Sequence, residues 1–223
     1  MGGGIMRRVL IVIMVVVLLP LAGVIFASDI HEIYTAIAAM SEKNTPPVYK
    51  VRVQNESFAE ALADLPKEIR TGNEDPAVMV YFAKGEGVRI IIENIRSEYA
   101  SLFSMYEDYL KFSGISNVQN PSELKEIIDK GKVQLFSEDK GTVILKAWDP
   151  DKEEKDDNYA LFTLNKKNWV IVKAVYYLDG TPYVQAENRY KSYGNYYLPY
   201  EIVLQNLSEN SSEIFRFTEY RFK

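Results

Sequence analysis

Residues 169–205 decide the fold, and their sequence is WVIVKAVYYLDGTPYVQAENRYKSYGNYYLPYEIVLQ. This segment holds three runs rich in β-branched and aromatic residues, at 169–178, 183–190 and 200–205. The first two runs are separated by an Asp-Gly-Thr-Pro link, which is typical of a tight turn between antiparallel strands. The segment therefore predicts consecutive strands of an antiparallel meander.

The same alternation of apolar and polar residues occurs on both sides of this segment. Because a half-buried strand has one apolar and one polar face, such runs with short polar links predict neighbouring antiparallel strands. Two runs before residue 95 are joined by Gly85-Glu86-Gly87, which indicates a β-hairpin. The predicted strands are 48–53, 77–84, 88–94, 133–136, 142–148, 159–164, 169–178, 183–190, 200–205 and 214–222.

Four segments have the apolar spacing of a helix. The start of one is marked by Asn120 as a capping residue and Pro121 at the first helical position. The predicted helices are 29–42, 58–70 with an interruption at Pro66, 95–113 and 121–130. A long antiparallel sheet with few helices predicts an α+β fold in which the helices lie on one face of the sheet.

The N-terminus predicts a secretory signal. An Arg-Arg pair precedes the apolar run 9–26, which contains no charge, and this is the order of regions in a signal peptide. The small residue Ala27 predicts the cleavage position. The run is also just long enough to span a bilayer, so a retained anchor is the alternative hypothesis. The predicted organisation is a signal peptide or anchor at 1–27 and a single domain at 28–223.

The composition argues against several classes of function. The chain has no cysteine and one histidine, His31, which excludes thiol nucleophiles, disulfides and thiolate metal sites and leaves little room for imidazole chemistry. The 31 acidic residues outnumber the 26 basic ones, which argues against nucleic acid as a partner. No phosphate-binding loop, nucleophile elbow or zinc-binding helix is present. We therefore predict no enzyme activity, no catalytic residue and no cofactor or metal.

An acidic segment at 149–157 raises the question of calcium. Its six carboxylates offer the hard oxygen ligands that calcium prefers. The spacing lacks the glycine and the terminal glutamate of an EF-hand loop. A solvated loop is the favoured hypothesis, and calcium binding is the alternative.

The predicted helix 95–113 has more apolar side chains than one helix face needs for packing on a sheet. Within 95–113 the apolar surface is wider than a single stripe. In the predicted hairpin, alternate residues share one face, and a curved sheet would bury them around a cavity. An ordinary core between sheet and helices is the alternative. The residues predicted to line the cavity are Val78, Val80, Phe82, Ile90, Ile92, Leu102, Phe103, Met105 and Tyr106.

A resemblance to a known family rests on two stretches of the C-terminal half. AVYYLDG at 174–180 is followed by NRYKSYGNYYLPYEI at 188–202. They contain a strand, an Asp-Gly turn, a strand ending in Tyr, a Gly, and then an aromatic residue and a Pro before the next strand. Together with the signal, the first helix and the hairpin, this arrangement resembles the LolA/LolB-like outer-membrane lipoprotein-sorting proteins, which are periplasmic lipoprotein carriers.

The resemblance implies a large curved antiparallel sheet, a half-barrel, with helices covering its concave face. In that family the concave face holds lipoprotein acyl chains under a helical lid closed by an arginine. Arg89 is the nearest candidate for this lid contact. Because the chain lacks a cysteine that could be acylated, the soluble carrier is the closer relative.

Two functional hypotheses lead, and a third, a hydrolase, would need a cluster of polar residues in a cleft. The first is an exported carrier or binding protein, periplasmic or otherwise extracytoplasmic, that holds lipid or lipoprotein acyl chains in an apolar cavity. A membrane-bound donor or acceptor protein would be a further partner, and an uncleaved signal would anchor the chain in the membrane. The alternative is an extracytoplasmic protein-interaction or envelope-stress sensing module on the same scaffold, without lipid cargo.

Overall fold

The computed structural model describes residues 29–99, 102, 112–115 and 119–223. The helices in this part of the chain are α1 (Ile30–Asn44), α2 (Glu56–Ala63) and α3 (Pro121–Asp129), with short 3₁₀ helices at Lys67–Ile69 and Ser97–Tyr99. The strands are β1 (Val48–Gln54), β2 (Ala77–Ala83), β3 (Gly87–Glu93), β4 (Val133–Glu138), β5 (Thr142–Trp148), β6 (Tyr159–Asn165), β7 (Val170–Leu178), β8 (Thr181–Tyr193), β9 (Tyr196–Asn206) and β10 (Ser211–Phe222).

All ten strands form one antiparallel sheet in the order β3-β2-β1-β10-β9-β8-β7-β6-β5-β4. Strands adjacent in the chain pair with each other within β1–β3 and within β4–β10. The two groups are joined where β1 pairs with β10. The sheet is open, with β3 and β4 at its edges. The predicted α+β fold with one large antiparallel sheet is confirmed.

One face of the sheet, which we call the core face, carries the hydrophobic core. Residues paired across antiparallel strands point to the same side of a sheet. Val80 pairs with Val51 on one side and with Ile90 on the other, so all three share the core face. The helices α1 and α3 contribute buried residues to the same core, namely Ile33, Ile37, Leu124 and Ile128.

Local capping explains where the first two helices begin. The Asp29 side chain accepts a hydrogen bond from the backbone N–H of His31, and Glu32 reaches back to the backbone N–H of Asp29, which completes a capping box.

The predicted helix 58–70 is divided in two. Asn55 caps α2 by accepting from the N–H of Phe58, and a separate 3₁₀ turn follows Pro66, which cannot continue a helix.

Two proline-containing strands are longer than the sequence predicts. The pattern predicts a link at 191–199, whereas β8 and β9 run through most of it and meet at a turn containing Gly194, whose φ is 62°. Pro199 has no N–H for the ladder, and a register shift between Arg189 and Tyr190 lies directly opposite it. A bulge of this kind accommodates proline within a sheet, so proline did not end the strand here.

The prediction of a helix that begins at Ile95 was wrong. Ile95 is buried and pairs with Arg70 in an isolated antiparallel bridge, and a 3₁₀ turn follows. The apolar spacing that suggested a helix begins only at Tyr99, and Ile95 belongs to the hydrophobic core instead. Residues 100–101 and 103–111 of this predicted helix lie outside the described residues, as does the predicted signal peptide at 1–27. None of the helices in the described ranges has the length and hydrophobicity needed to cross a membrane.

Candidate functional site

The structure brings five of the predicted cavity residues together on the core face. Val78 pairs with Ile92 and Val80 with Ile90, and Phe82 lies two residues further along β2 on the same side. All five side chains are at most 5% exposed. They belong to the same hydrophobic cluster as Phe58, Phe215 and the helix residues of α1. The lining of a cavity by these residues stays a prediction.

The other predicted site residues are placed differently. Leu102 is 45% exposed, and Phe103, Met105 and Tyr106 lie outside the described residues. Arg89 alternates with Ile90 along β3 and therefore lies on the opposite face of the strand, where its guanidinium contacts the Glu86 carboxylate at 3.2 Å. The five core-face residues and Arg89 are thus on different sides of the sheet. A lid contact by Arg89 stays a prediction.

A groove of about 290 Å³ opens at one end of the core face. We call it the apolar groove. It lies where β8 begins and β9 ends, and its hydrophobic walls include Phe112, Val184 and Leu204. Leu204 pairs with Ala186, two residues from Val184, so both wall residues lie on the core face. The remaining lining residues are Tyr183, Asn206, Glu209, Ser211, Ser212 and Glu213.

A short buried segment holds Phe112 in this position. The carbonyl oxygen of Ser113 accepts a hydrogen bond of 2.7 Å from the side-chain amide of Asn188, which also donates to the carbonyl of Ile171. Gly114 has a φ of 68°, and a Cβ there would lie 2.8 Å from the ring of Phe162. Only glycine allows this close approach of the backbone to the sheet. The Phe112 ring packs edge-on against Tyr176, with 5.0 Å between centroids.

A second, polar cleft of about 780 Å³ adjoins the apolar groove. We call it the polar cleft. It lies between the start of α2 and β10, and it shares Ser212 and Glu213 with the groove. Asn55 fixes its wall, because its side-chain amide donates to the Glu213 carboxylate and to the Ile214 carbonyl, both at 3.3 Å. Its other lining residues are Gln54, Glu56, Ser57, Glu60 and Arg216.

A narrow hydrophobic gap separates α1 and α3 from β4–β7. Its volume of about 20 Å³ exceeds only slightly the space that one water molecule occupies, about 10–15 Å³. The lining residues are all hydrophobic: Ile37, Leu124, Ile127, Val133, Leu145, Ala147, Phe162, Leu164 and Ile171. An acyl chain could enter this gap only if α3 moved away from the sheet.

The opposite end of the core face is packed with aromatic and amide side chains. The Tyr49 hydroxyl donates a hydrogen bond of 2.9 Å to the side-chain oxygen of Gln119. The backbone carbonyl of Gln119 accepts a hydrogen bond from the Ser41 hydroxyl. The Tyr49 ring stacks on Phe82 and contacts Tyr220. Burial raises the pKa of Tyr49 well above its ordinary value, an effect that the hydrogen bond to Gln119 only partly offsets. The gap beside Ser41 and Gln119 measures about 10 Å³ and is too small for an acyl chain.

The acidic loop at 149–157 is organised by turns and one ion pair. The Asp149 carboxylate accepts from the backbone N–H of Asp151. Hydrogen bonds from Asn158 lower the pKa of Asp156, and the Lys152 ammonium lies 3.2 Å from the same carboxylate. No group of three or more His, Asp or Glu side chains in the described ranges is arranged to hold a metal ion. Calcium binding by this loop finds no support in its geometry.

Comparison with solved structures identifies the fold. No protein-family model and no curated protein matches the sequence. The chain superposes on a crystal structure from Vibrio parahaemolyticus that is described as a putative outer membrane lipoprotein-sorting protein domain, with a TM-score of 0.53 and 10% identity over 87% of this chain and 94% of that chain. The two proteins share one fold. A DUF1329 family protein from Desulfovibrio piger gives a TM-score of 0.48 at 14% identity, and a LolA superfamily protein from Nitrosomonas europaea gives 0.45 at 13%, each over 88% of this chain and 94% of that chain.

The lipoprotein-sorting fold confirms the resemblance that the sequence indicated, at the level of the fold. The similarity covers 87% of this chain, and the open ten-stranded sheet with its helices is consistent with the half-barrel arrangement of that fold. The apolar groove and the polar cleft were not predicted. Their residues come from the segments around 55, 112, 184, 204 and 213. The proximity of the last three depends on the pairing of β8, β9 and β10, and that of residue 55 depends on the pairing of β1 with β10. The one available signal was the apolar alternation of 183–190 and 200–205, which assigns Val184 and Leu204 to a face but gives no opening.

Proposed function

We propose that this chain is an exported carrier or binding protein that holds lipid or lipoprotein acyl chains against the hydrophobic core face. The apolar groove is the observation that carries the proposal. Its volume of about 290 Å³ is close to the lower end of small-molecule sites, about 300 Å³. Its walls, Phe112, Val184 and Leu204, would remove hydrocarbon from water, which stabilises a complex by about 25 cal/mol per Å² buried. The lipoprotein-sorting fold supports the same function.

The predicted cavity residues extend this proposal. Val78, Val80, Phe82, Ile90 and Ile92 lie on the core face that begins at the apolar groove, so a long chain could reach them if the core opened. Leu102, Phe103, Met105 and Tyr106 are proposed to cover the chain, with Arg89 as the predicted lid contact. No catalytic step and no cofactor is part of this function.

Export is part of the proposal. The Arg-Arg pair and the apolar run 9–26 would direct the chain out of the cytoplasm. The working location is therefore the periplasm or another extracytoplasmic compartment, with residues 28–223 as the functional domain. Membrane-bound donor or acceptor proteins are proposed as further partners.

Exposed apolar residues favour a second candidate, a protein-interaction module without lipid. Leu178, Leu207 and Ile214 are 54%, 40% and 37% exposed and lie near the β7–β8 and β9–β10 turns. Exposed apolar side chains at one end of a sheet are typical of contact surfaces. A partner protein would then cover the end of the sheet at which the apolar groove opens.

The first test is native mass spectrometry, with lipid extraction, of the protein purified without detergent after export from a bacterial host. A carrier is expected to retain a stoichiometric acyl lipid or to take one up from added lipid. Retention of none by a protein that also fails to bind an alkyl probe would contradict the carrier function. That result would favour the interaction module.

A pair of variants assigns the lipid to the groove. Val184→Asp places a charge in the apolar wall and is expected to weaken binding of the neutral fluorophore N-phenylnaphthylamine by about tenfold or more. Val203→Asp is the matched control, because Val203 is also half-buried but lies on the opposite face of β9. Equal loss in both variants would show that the groove is not the site. Thermal unfolding of both variants checks that they remain folded.

A further inference from the structure

The apolar groove and the polar cleft are contiguous, and this pairing carries information about the ligand. The groove, of about 290 Å³, has hydrophobic walls at Phe112, Val184 and Leu204 and polar residues at its rim, whereas the cleft, of about 780 Å³, is lined mainly by polar residues. Ser212 and Glu213, at the start of β10, form a wall of both. A molecule with its hydrocarbon in the groove would thus place its polar end beside these two residues, at the entrance to the larger compartment.

The charge of the polar cleft determines which head groups it can accept. Its lining contains three carboxylates, from Glu56, Glu60 and Glu213, and one guanidinium, from Arg216. The Arg216 Nε atom already donates to Glu201 on the outer face of the sheet at 3.2 Å. The carboxylates give the cleft a negative potential, which water and salt screen only in part, so a phosphate or a carboxylate in the cleft is disfavoured.

The hydrogen-bonding groups of the cleft point to the same chemistry. Carboxylates accept hydrogen bonds only, and amide and hydroxyl oxygens accept as well. The side-chain amide of Asn55 already donates to Glu213 and to the Ile214 carbonyl. Gln54, Ser57, Ser212 and Arg216 also carry donors, but the carboxylates add acceptors only, so the cleft favours a ligand that supplies donors.

We infer that the ligand is an amphiphile whose single acyl or alkyl chain enters the apolar groove and whose bulky, hydroxyl-rich head, which carries no negative charge, fills the polar cleft. This inference rests on the proposed function and deepens it. Its ligand class is a glycoside-type or polyol-type lipid, and an anionic phospholipid is disfavoured. Glu60 and Glu213 are the residues that set this selectivity.

Three probes with the same chain length and different heads test the inference. They are dodecyl maltoside, with a bulky neutral head, lauroyl glycerol, with a small neutral head, and lauroyl lysophosphatidylglycerol, with an anionic head. Each displaces N-phenylnaphthylamine from the protein, below the concentration at which the probe aggregates. Dodecyl maltoside is expected to bind tightest, and about tenfold more tightly than the anionic probe.

Variants locate the selectivity. The double variant E60Q/E213Q keeps the size of both side chains and removes two charges. It is therefore expected to bind the anionic probe about fivefold more tightly than the wild type does, with little change for dodecyl maltoside. The matched control is E42Q/E86Q, which removes two exposed carboxylates near the opposite end of the sheet. The control is expected to keep the wild-type preference.

The outcomes distinguish failure of this inference from failure of the proposed function. Equal affinity of the wild type for all three probes would overturn the head-group inference and leave the acyl carrier intact. A preference against the anionic probe that persists in E60Q/E213Q would remove Glu60 and Glu213 as its source and overturn their assignment. If no probe binds and no lipid is retained in native mass spectrometry, both the inference and the proposed function are overturned.

Discussion

At the scale of single residues, Gly114 shows how one missing methyl group positions a wall of the site. Its backbone lies against Phe162 and Ile171, and the neighbouring Ser113 carbonyl is held by Asn188. Phe112, two residues earlier, forms part of the apolar groove. The sequence contained no signal for this role, because a glycine beside a serine is equally typical of an exposed turn.

Gly114→Ala is expected to lower the free energy of unfolding by about 2–4 kcal/mol. The new Cβ would lie 2.8 Å from Phe162 and 3.1 Å from Ile171, and overpacking of this kind costs about 1–3 kcal/mol. The left-handed backbone adds about 1 kcal/mol for a residue with a side chain. Urea denaturation monitored by circular dichroism measures the loss.

Gly180→Ala is the matched control for this substitution. Gly180 has a φ of 72°, but the Cβ that alanine would add there has nothing within 4 Å, so only the backbone cost of about 1 kcal/mol applies. An equal loss in the two variants would show that residue 114 does not pack against the sheet as described. A larger loss at 114, together with weaker binding of N-phenylnaphthylamine, would connect this packing to the apolar groove.

At the scale of elements, the strands were predictable and the segment over the core face was not. β5 was predicted with its observed limits at 142–148, because apolar alternation bounded by polar turns depends only on local sequence. Prolines misled the prediction for β8 and β9, since the bulge that accommodates Pro199 depends on the partner strand. A helix was predicted from Ile95, whereas this residue pairs with Arg70, a contact between separated segments that local sequence does not show. Periodicity identifies a buried face without saying what covers it.

The tyrosine-rich ends of β1, β8 and β10 predict a loss of stability in alkali. Burial raises the pKa of Tyr49, Tyr190 and Tyr220 above the ordinary value of 10.0. In the unfolded chain these phenols ionise near pH 10, whereas in the folded protein they stay protonated. Their stabilising contribution is therefore complete below about pH 10 and is lost as the pH rises further, by about 1.4 kcal/mol per pH unit for each tyrosine.

Tyr49→Phe tests this expectation. The variant is expected to be less stable at neutral pH by about 1–3 kcal/mol, because Gln119 loses its partner. Above pH 10 its stability should fall less steeply than that of the wild type, by about 1.4 kcal/mol per pH unit. Urea unfolding at neutral pH and at about pH 11 measures both effects. Val51→Ala removes no phenol and should keep the wild-type slope, so an unchanged slope in Tyr49→Phe would contradict the role of its burial.

At the scale of the whole molecule, the fold was predictable because its evidence is distributed along the chain. Ten apolar runs and their turns lead to one open sheet, and a lipoprotein-sorting domain with 10% identity has the same fold. The site was less predictable, because it arises where separated segments meet. Val184, Leu204 and Glu213 lie close together only after β8, β9 and β10 have paired. The face assignments of the hairpin residues were correct, and their role in a cavity stays a prediction.

The final prediction concerns the mature chain, since a carrier of acyl chains between membranes must leave its own membrane. Export from a bacterial host is expected to yield a protein that begins at Ser28 and is found in the soluble periplasmic fraction. Removing residues 1–27 deletes two arginines and no acid, so the net charge should change from −5 to −7. Intact mass and N-terminal sequencing measure the cleavage. A chain of full length in the membrane fraction would instead identify 9–26 as an anchor and restrict the protein to ligands delivered to that membrane.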